Sequence, residues 1–229
     1  MKKLVLIALC FLVKTGYAQD AAALVQKVKA RIDKVDNYEA AGRMKTNVSF
    51  LKVPEAQVKM YFKKPNQLKI KNEKGISFVP RGAVSINLNN ILAGNQYSII
   101  DAGFDKINGS TVRVVKLLPA DDNAEVVLST LYIDEASLVI KKAKTTTRQN
   151  GSYQLEMTYG KYTAFGLPDK VIFTFNTKDY KLPKGVTFDF DDGTEANKPA
   201  DRVKSNSGMA EIIYNTYIIN KGVADAVFK

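Results

Sequence analysis

The stretch AQVKMYFKKPNQLKI, residues 56–70, decides the fold class of this chain. From Ala56 to Lys63 the even positions are apolar and the odd positions are mainly polar or charged. The segment Lys64-Pro65-Asn66 interrupts the pattern, which resumes with Leu68 and Ile70. Because successive side chains of a strand point to opposite faces, this period of two predicts two strands with one apolar face each. The short interruption between them predicts an antiparallel hairpin.

The same alternation extends to both sides of this hairpin. Upstream, residues 40–50 carry Ala40, Met44 and Val48 on one face. Downstream, strand-like segments predict eight more strands, and the pair Asn108-Gly109 is a strong hairpin signal. These strands cover residues 97–107, 111–118, 126–133, 139–148, 153–162, 170–176 and 185–190, and a last one covers 209–220. Since an open sheet of ten or eleven twisted strands curls, we predict a mainly β (α+β) fold with a strongly curved antiparallel sheet.

Two segments show helical rather than strand spacing. Residues 21–35 follow Asp20, a candidate N-cap, and place one apolar residue per turn on a single face (Leu24, Val28, Ile32 and Val35). Residues 83–92 place a second apolar set together (Val84, Leu88, Ile91 and Leu92). We predict that the second helix packs across the concave face of the sheet.

The N-terminus has the features of a secretory signal peptide. Lys2 and Lys3 precede a short apolar run, and Gly16-Tyr17-Ala18 places small residues before a cut after Ala18. Cys10 lacks the small preceding residue that lipidation requires. We therefore expect residues 1–18 to be removed and residues 19–229 to form one exported domain, which is soluble rather than lipid-anchored.

The composition excludes several classes of site. The chain has no histidine, and its single cysteine lies within the predicted signal peptide. Triads with a Ser–His or Cys–His pair and ordinary zinc sites are therefore excluded. The acidic loop with Asp189, Asp191, Asp192 and Glu195 does not have the spacing of a calcium loop. We expect no catalytic residues, no metal and no cofactor.

The chain is basic, but its positive charges are dispersed. The formal net charge of +11 falls to +8 once the three lysines of residues 1–18 are removed. The remaining lysines are spread along the strands and form no motif typical of nucleic-acid binding. We expect a solubilising surface, no nucleic-acid partner and a monomer.

Three segments resemble the periplasmic lipoprotein carrier LolA and its relatives. The segment 21–40, ending in Lys34-Val35-Asp36-Asn37-Tyr38, is similar to the helix that opens that family. The segment 58–70 resembles its strand–Arg-Pro-Asn–strand hairpin. The end of the chain, 214–228, is similar to its closing strand and to its tail with Asn, Asp and Phe.

The resemblance implies an unclosed half-barrel with a helical lid over a hydrophobic cavity. Proteins of this family shield the acyl chains of lipoproteins that cross the periplasm to the outer membrane. Lys64 stands where the family has an arginine that tethers the lid, and a lysine lacks the planar fork of an arginine. The candidate cavity residues are Met44, Val48, Met60, Phe62, Leu68, Ile70, Val84, Leu88, Ile91 and Leu92.

Three functions follow from these observations. The first is a periplasmic carrier for the acyl chains of lipoproteins or for another amphiphile, with membrane-bound donor and acceptor proteins as partners. The second is a protein-interaction or sensing module of the cell envelope on the same fold, without lipid transport. The third is a hydrolase that uses carboxylates alone, although no Asp/Glu pair stands out.

Overall fold

The computed structural model describes residues 16–48, 51–52, 55–65, 67–74, 92, 96–148, 151–176 and 207–229. These residues form one α-helix and eleven strands, with two 3-10 helices at Thr163–Phe165 and Asp225–Val227. The main elements are α1 (Gly16–Ile32), β1 (Asn37–Val48), β2 (Leu51–Lys52), β3 (Ala56–Lys63), β4 (Gln67–Lys74), β5 (Tyr97–Ile107), β6 (Ser110–Pro119), β7 (Val126–Asp134), β8 (Val139–Thr147), β9 (Ser152–Thr158), β10 (Lys170–Asn176) and β11 (Ser207–Ile219).

All ten long strands belong to one antiparallel sheet. Its order is β4-β3-β1-β11-β10-β9-β8-β7-β6-β5, and β2 pairs with the end of β1. Within the described residues β4 and β5 each have one neighbour, so the sheet is not closed into a barrel. The mainly β, antiparallel, unclosed architecture is therefore confirmed. The segment of the predicted helical lid lies outside the described residues except for Leu92.

The predicted strands agree closely with the observed ones. The bounds of β5 and β10 match the prediction to the residue. The Asn108-Gly109 hairpin is confirmed, because both residues have positive φ and Ile107 pairs with Ser110. Strand β9 ends at Thr158 rather than at 162, since the chain then enters the 3-10 helix that Gly166 terminates at φ +66°. The predicted strand 185–190 lies outside the described residues.

A bulge in β1 explains why Gly42 is a glycine. The pairing of β1 with β11 shifts by one residue between Ala41 and Gly42. A Cβ atom at Gly42 would lie 2.4 Å from the carbonyl oxygen of Ile213. Only glycine allows this close approach of the two backbones.

Helix α1 begins and ends earlier than predicted. It starts at Gly16 instead of Ala21 and ends at Ile32, so the prediction of Asp20 as an N-cap is wrong. The predicted apolar face is confirmed, and Ala21 and Val25 extend it. No described helix is long and apolar enough to cross a membrane.

The core lies on one face of the sheet, which we call the inner face. Side chains of α1 pack there against residues of β6 to β11, among them Leu117, Leu131, Leu155 and Phe173. Leu92 belongs to the same cluster. Burying each of the larger apolar side chains of α1 contributes about 1.5–3 kcal/mol. The helix thus covers one part of the inner face, and a second cluster lies on β1, β3 and β11.

Candidate functional site

The structure brings five predicted cavity residues together on the inner face. Within strands β3 and β4, Met60 pairs with Ile70, and Phe62 pairs with Leu68. Met44 lies on the same face, two strands from β4. We call this set the apolar strip: Met44, Met60, Phe62, Leu68 and Ile70.

Burial differs between the middle and the edge of the apolar strip. Met44, Met60 and Phe62 are at most 2% exposed, whereas Leu68 and Ile70 on the edge strand are partly buried. The other predicted residues are not part of this set. Leu92 is buried in the helix cluster, the side chain of Val48 is not described, and Val84, Leu88 and Ile91 lie outside the described residues.

A group of tyrosines adjoins the apolar strip. The ring of Tyr217 lies 4.9 Å from those of Tyr162 and Tyr214 and 5.3 Å from that of Tyr38, which in turn lies 5.3 Å from the ring of Phe62. The hydroxyl of Tyr217 donates a hydrogen bond of 2.8 Å to the carbonyl oxygen of Pro168. We call Tyr38, Tyr162, Tyr214 and Tyr217 the tyrosine cluster.

Burial raises the pKa of three phenols in this cluster. Loss of solvation raises the pKa of Tyr214 to about 12 and raises the pKa of Tyr38 and Tyr217 well above the ordinary value. These three hydroxyl groups therefore stay neutral at physiological pH. The cluster thus adds uncharged aromatic side chains beside the apolar strip.

These pKa shifts predict a loss of stability at alkaline pH. The phenol of Tyr214 titrates at about 10 in the unfolded chain and about 12 in the folded protein. Its contribution is therefore complete below pH 10 and is lost as the pH rises through 12. We expect the free energy of unfolding of Tyr214→Phe to fall less between pH 10 and pH 12 than that of the wild type. Urea titrations across this pH range measure the difference. An identical pH dependence for both proteins would contradict this assignment.

Lys64 bonds the β3–β4 turn to the end of α1. Its ammonium group donates to the carbonyl oxygen of Asp33 at 2.6 Å and pairs with the Asp36 carboxylate at 2.9 Å. Its backbone N–H donates to the carbonyl oxygen of Asp36 at 2.9 Å. Within the described residues, the predicted tethering position therefore holds the connection between α1 and β1.

Asn220 also binds the connection between α1 and β1 by hydrogen bonds. Its side-chain oxygen accepts hydrogen bonds from the backbone N–H groups of Asp36 and Asn37 at 2.8 and 3.3 Å. Its amide group donates to the carbonyl oxygen of Lys34 at 2.8 Å. Asn220 lies in the C-terminal segment 214–228, and its hydrogen bonds give it a structural role.

Arg113 forms a second polar junction, which no local pattern in the sequence predicts. Its guanidinium makes two bonds to the Asp101 carboxylate, at 3.0 and 2.6 Å, and also contacts Asp20 at 3.3 Å and Glu135 at 3.4 Å. The Arg113 side chain is 5% exposed. Its hydrogen bonds lower the pKa of Asp101. This junction fixes the start of α1 to strands β5 and β6.

The described residues contain no arrangement typical of catalysis or metal binding. No group of three metal-ligating side chains occurs in the described part of the chain. The carboxylates of Asp20, Asp101 and Glu135 surround the Arg113 guanidinium instead.

Comparison with solved structures gives matches over most of the chain. Three of these structures have a TM-score of 0.57, and the match covers 97% of each of their chains. Two of them are 12% identical over 93% of this chain: a domain described as an outer membrane lipoprotein-sorting protein domain from Vibrio parahaemolyticus and a DUF1329 family protein from Desulfovibrio piger. The third, a LolA superfamily protein from Nitrosomonas europaea, is 10% identical over 91% of this chain.

The sequence itself gives no such match. No family model matches it, and no curated protein matches it. At 10–12% identity the structural similarity concerns the fold alone. The chain has a LolA-like fold.

Proposed function

We propose that this protein is a periplasmic, non-catalytic carrier that binds the acyl chain of a lipoprotein, or another amphiphile, on the apolar strip. The observation that carries the proposal is the joining of five apolar side chains on β1, β3 and β4 in a LolA-like fold. Residues 1–18 act as the export signal, and residues 19–229 form the single, monomeric binding domain.

The chemistry of the apolar strip supports this function. Methionine side chains are flexible and polarisable, so Met44 and Met60 can repack around ligands of different shape. Each methylene group removed from water contributes about 0.8 kcal/mol, so an acyl chain sheltered over half its length gains several kcal/mol. The neighbouring tyrosine rings extend the strip with further aromatic surface.

The fold supports a role in lipoprotein localisation to the outer membrane. One structure with this fold is described as an outer membrane lipoprotein-sorting domain. In such a role the cargo passes from a membrane-bound donor protein to a membrane-bound acceptor protein. Transport of cargo requires no catalytic group and no cofactor.

Ligands that copurify with the protein test the proposal directly. We expect mass spectrometry of an organic extract of the native protein to show acylated molecules in stoichiometric amounts. After delipidation, the protein should take up a fluorescent fatty acid in a saturable manner. An empty extract together with no uptake would overturn the proposal.

Substitution of the edge residues of the apolar strip tests the location of the site. Leu68→Gln/Ile70→Gln replaces two inner-face side chains, and we expect at least tenfold weaker binding of the fatty acid, equivalent to about 1.4 kcal/mol. The matched control, Lys69→Gln/Lys71→Gln, alters the outward-facing positions of the same strand and should bind as the wild type does. Equal binding by both double variants would place the ligand elsewhere.

A specific observation favours a second function, binding of an envelope protein. On the edge strand β5, Ile100 and Phe104 are 47% and 60% exposed. Edge strands with exposed apolar side chains are suited to pairing with a strand of another protein. If this is the function, crosslinking in intact cells from a photoreactive residue at position 104 should give one defined adduct. Uptake of fatty acid with no such adduct would argue against it.

A further inference from the structure

The sheet places three lysines close together on the face opposite the core, which we call the outer face. Lys116 on β6 pairs with Thr130 on β7, which in turn pairs with Lys144 on β8. Since neighbouring strands lie about 4.8 Å apart, the Cα atoms of the two lysines are separated by about 10 Å. Lys142 lies on the same face of β8, because Ala143 between it and Lys144 is buried in the core. Strand order thus brings together lysines that lie far apart in the sequence.

These three lysines form no ion pair with any carboxylate in the part of the chain that the structure describes. Elsewhere on the outer face the pattern differs, since Lys59 binds the carboxylate of Glu73 at 2.9 Å. The acidic residue opposite Lys142 on β9 is Glu156, and its carboxylate accepts a hydrogen bond of 2.6 Å from the amide of Gln154. This part of the outer face therefore carries unneutralised positive charge.

Exposed apolar side chains adjoin the three lysines. Ile100 on the edge strand β5 pairs with Lys116 and is 47% exposed. Leu118, which is 37% exposed, follows Lys116 by two positions and so lies on the same face. The ammonium group of Lys142 lies 4.2 Å from the centre of the Tyr132 ring. We call this set the outer patch: Ile100, Lys116, Leu118, Tyr132, Lys142 and Lys144.

We propose that the outer patch docks the protein reversibly onto an anionic lipid bilayer. Lysines close to a bilayer attract its acidic head groups, and exposed apolar side chains between them enter the boundary between head groups and acyl chains. The outer patch lies on the face of a sheet, so it suits an extended negative surface. The inference does not depend on the proposed function, because the apolar strip lies on the inner face of β1, β3 and β4.

Partition onto vesicles tests the docking directly. We expect the wild type to sediment at low salt with vesicles of phosphatidylcholine and phosphatidylglycerol, and not with vesicles of phosphatidylcholine alone. Salt at about 0.5 M should release the protein, since it screens the attraction between exposed charges. Absence of binding to the anionic vesicles at low salt would overturn the proposal.

Two double variants with the same change of net charge locate the docking surface. We expect Lys116→Gln/Lys144→Gln to partition onto the anionic vesicles at least about tenfold more weakly than the wild type, because each lysine near the bilayer contributes roughly fivefold. The control Lys69→Gln/Lys71→Gln removes two lysines from the outer face of β4, at the other end of the sheet, and should weaken binding at most about twofold. Equal losses in both variants would show that net charge alone drives binding.

A single tryptophan tests whether the apolar side chains of the outer patch enter the bilayer. The chain has no tryptophan, so Leu118→Trp reports on one position only. We expect its fluorescence to shift to shorter wavelength when the anionic vesicles are added. The control Ile218→Trp lies on the outer face of β11, where Ile218 is 53% exposed and pairs with Glu39, and its spectrum should not shift. An unchanged spectrum of Leu118→Trp, or equal shifts in both proteins, would contradict docking through the outer patch.

A variant of the inner face separates docking from the proposed function. Leu68→Gln/Ile70→Gln should partition onto the anionic vesicles as the wild type does, since its substitutions lie on the other face of the sheet. Loss of vesicle binding in this variant would assign that binding to the apolar strip and overturn the outer patch. A wild type that binds the vesicles but takes up no fatty acid would instead count against the proposed function alone.

Discussion

Replacing Arg113 with methionine is expected to lower the free energy of unfolding by about 3–5 kcal/mol. The substitution leaves the Asp101 carboxylate, whose side chain is 16% exposed, without the guanidinium that binds it twice. It also removes the contact of Asp20 with the sheet, so the start of α1 loses its polar attachment. Urea titrations that follow the circular dichroism of the sheet measure the change.

The double variant Arg113→Met/Asp101→Leu separates the loss of the ion pair itself from the cost of leaving the Asp101 carboxylate unpaired. It removes both charges together, so we expect it to recover most of the lost stability. Arg148→Met is the control, because the exposed Arg148 donates to the carbonyl oxygens of Ala124 and Asp122 and should cost at most about 1 kcal/mol. A loss of 1 kcal/mol or less in Arg113→Met as well would show that the junction does not stabilise the fold.

The same junction predicts an acid dependence of stability. The hydrogen bonds of Arg113 lower the pKa of Asp101 below its ordinary value. The contribution of Asp101 is therefore complete above about pH 4, the ordinary pKa of an aspartate, and is lost as the pH falls through the lower folded value. In Arg113→Met this part of the acid dependence should disappear.

Asn220→Ala is expected to lower the free energy of unfolding by about 2–3 kcal/mol. The asparagine side chain makes three hydrogen bonds with the connection between α1 and β1. Its backbone also has φ at +55°, a conformation that asparagine adopts more readily than alanine. Thermal and urea unfolding of the variant measure the loss.

Two controls separate the hydrogen bonds from the backbone conformation. Asn220→Gly tolerates the positive φ but lacks the side chain, so it should still lose about 1.5 kcal/mol or more. Asn108→Ala changes an asparagine with φ at +49° in the β5–β6 turn, and it should cost only about 1 kcal/mol. Equal losses in Asn220→Ala and Asn108→Ala would show that the three side-chain bonds contribute nothing.

The strands were predictable because their pattern is local. Alternating side-chain direction follows from the geometry of an extended backbone, so the period of two in residues 56–63 predicts the inner and outer faces of β3 without any tertiary contact. The grouping of Met44, Met60, Phe62, Leu68 and Ile70 on one face was accessible for the same reason. These residues lie on strands that neighbour one another in the sheet.

The bounds of helix α1 were less predictable. Its apolar face was read correctly, because Leu24, Val28 and Ile32 recur at helical spacing. The predicted start of the helix was wrong, because Asp20 has the type of side chain that caps a helix but here binds Arg113 instead. The side chain of Asp20 thus bonds to a residue distant in the sequence and does not cap the helix.

By itself the sequence determined the mainly β class, the faces of the strands, the hairpin at Asn108-Gly109 and the apolar face of α1. Only the tertiary structure decided the partners of the polar side chains, such as Arg113 with Asp20 and Asn220 with the α1–β1 connection. The physical reason is that the face on which a side chain lies and the position of a hairpin turn depend on backbone geometry over a few residues. Polar partners instead depend on strand order, which places β1 between β3 and β11 and brings residues 184 positions apart within hydrogen-bond distance.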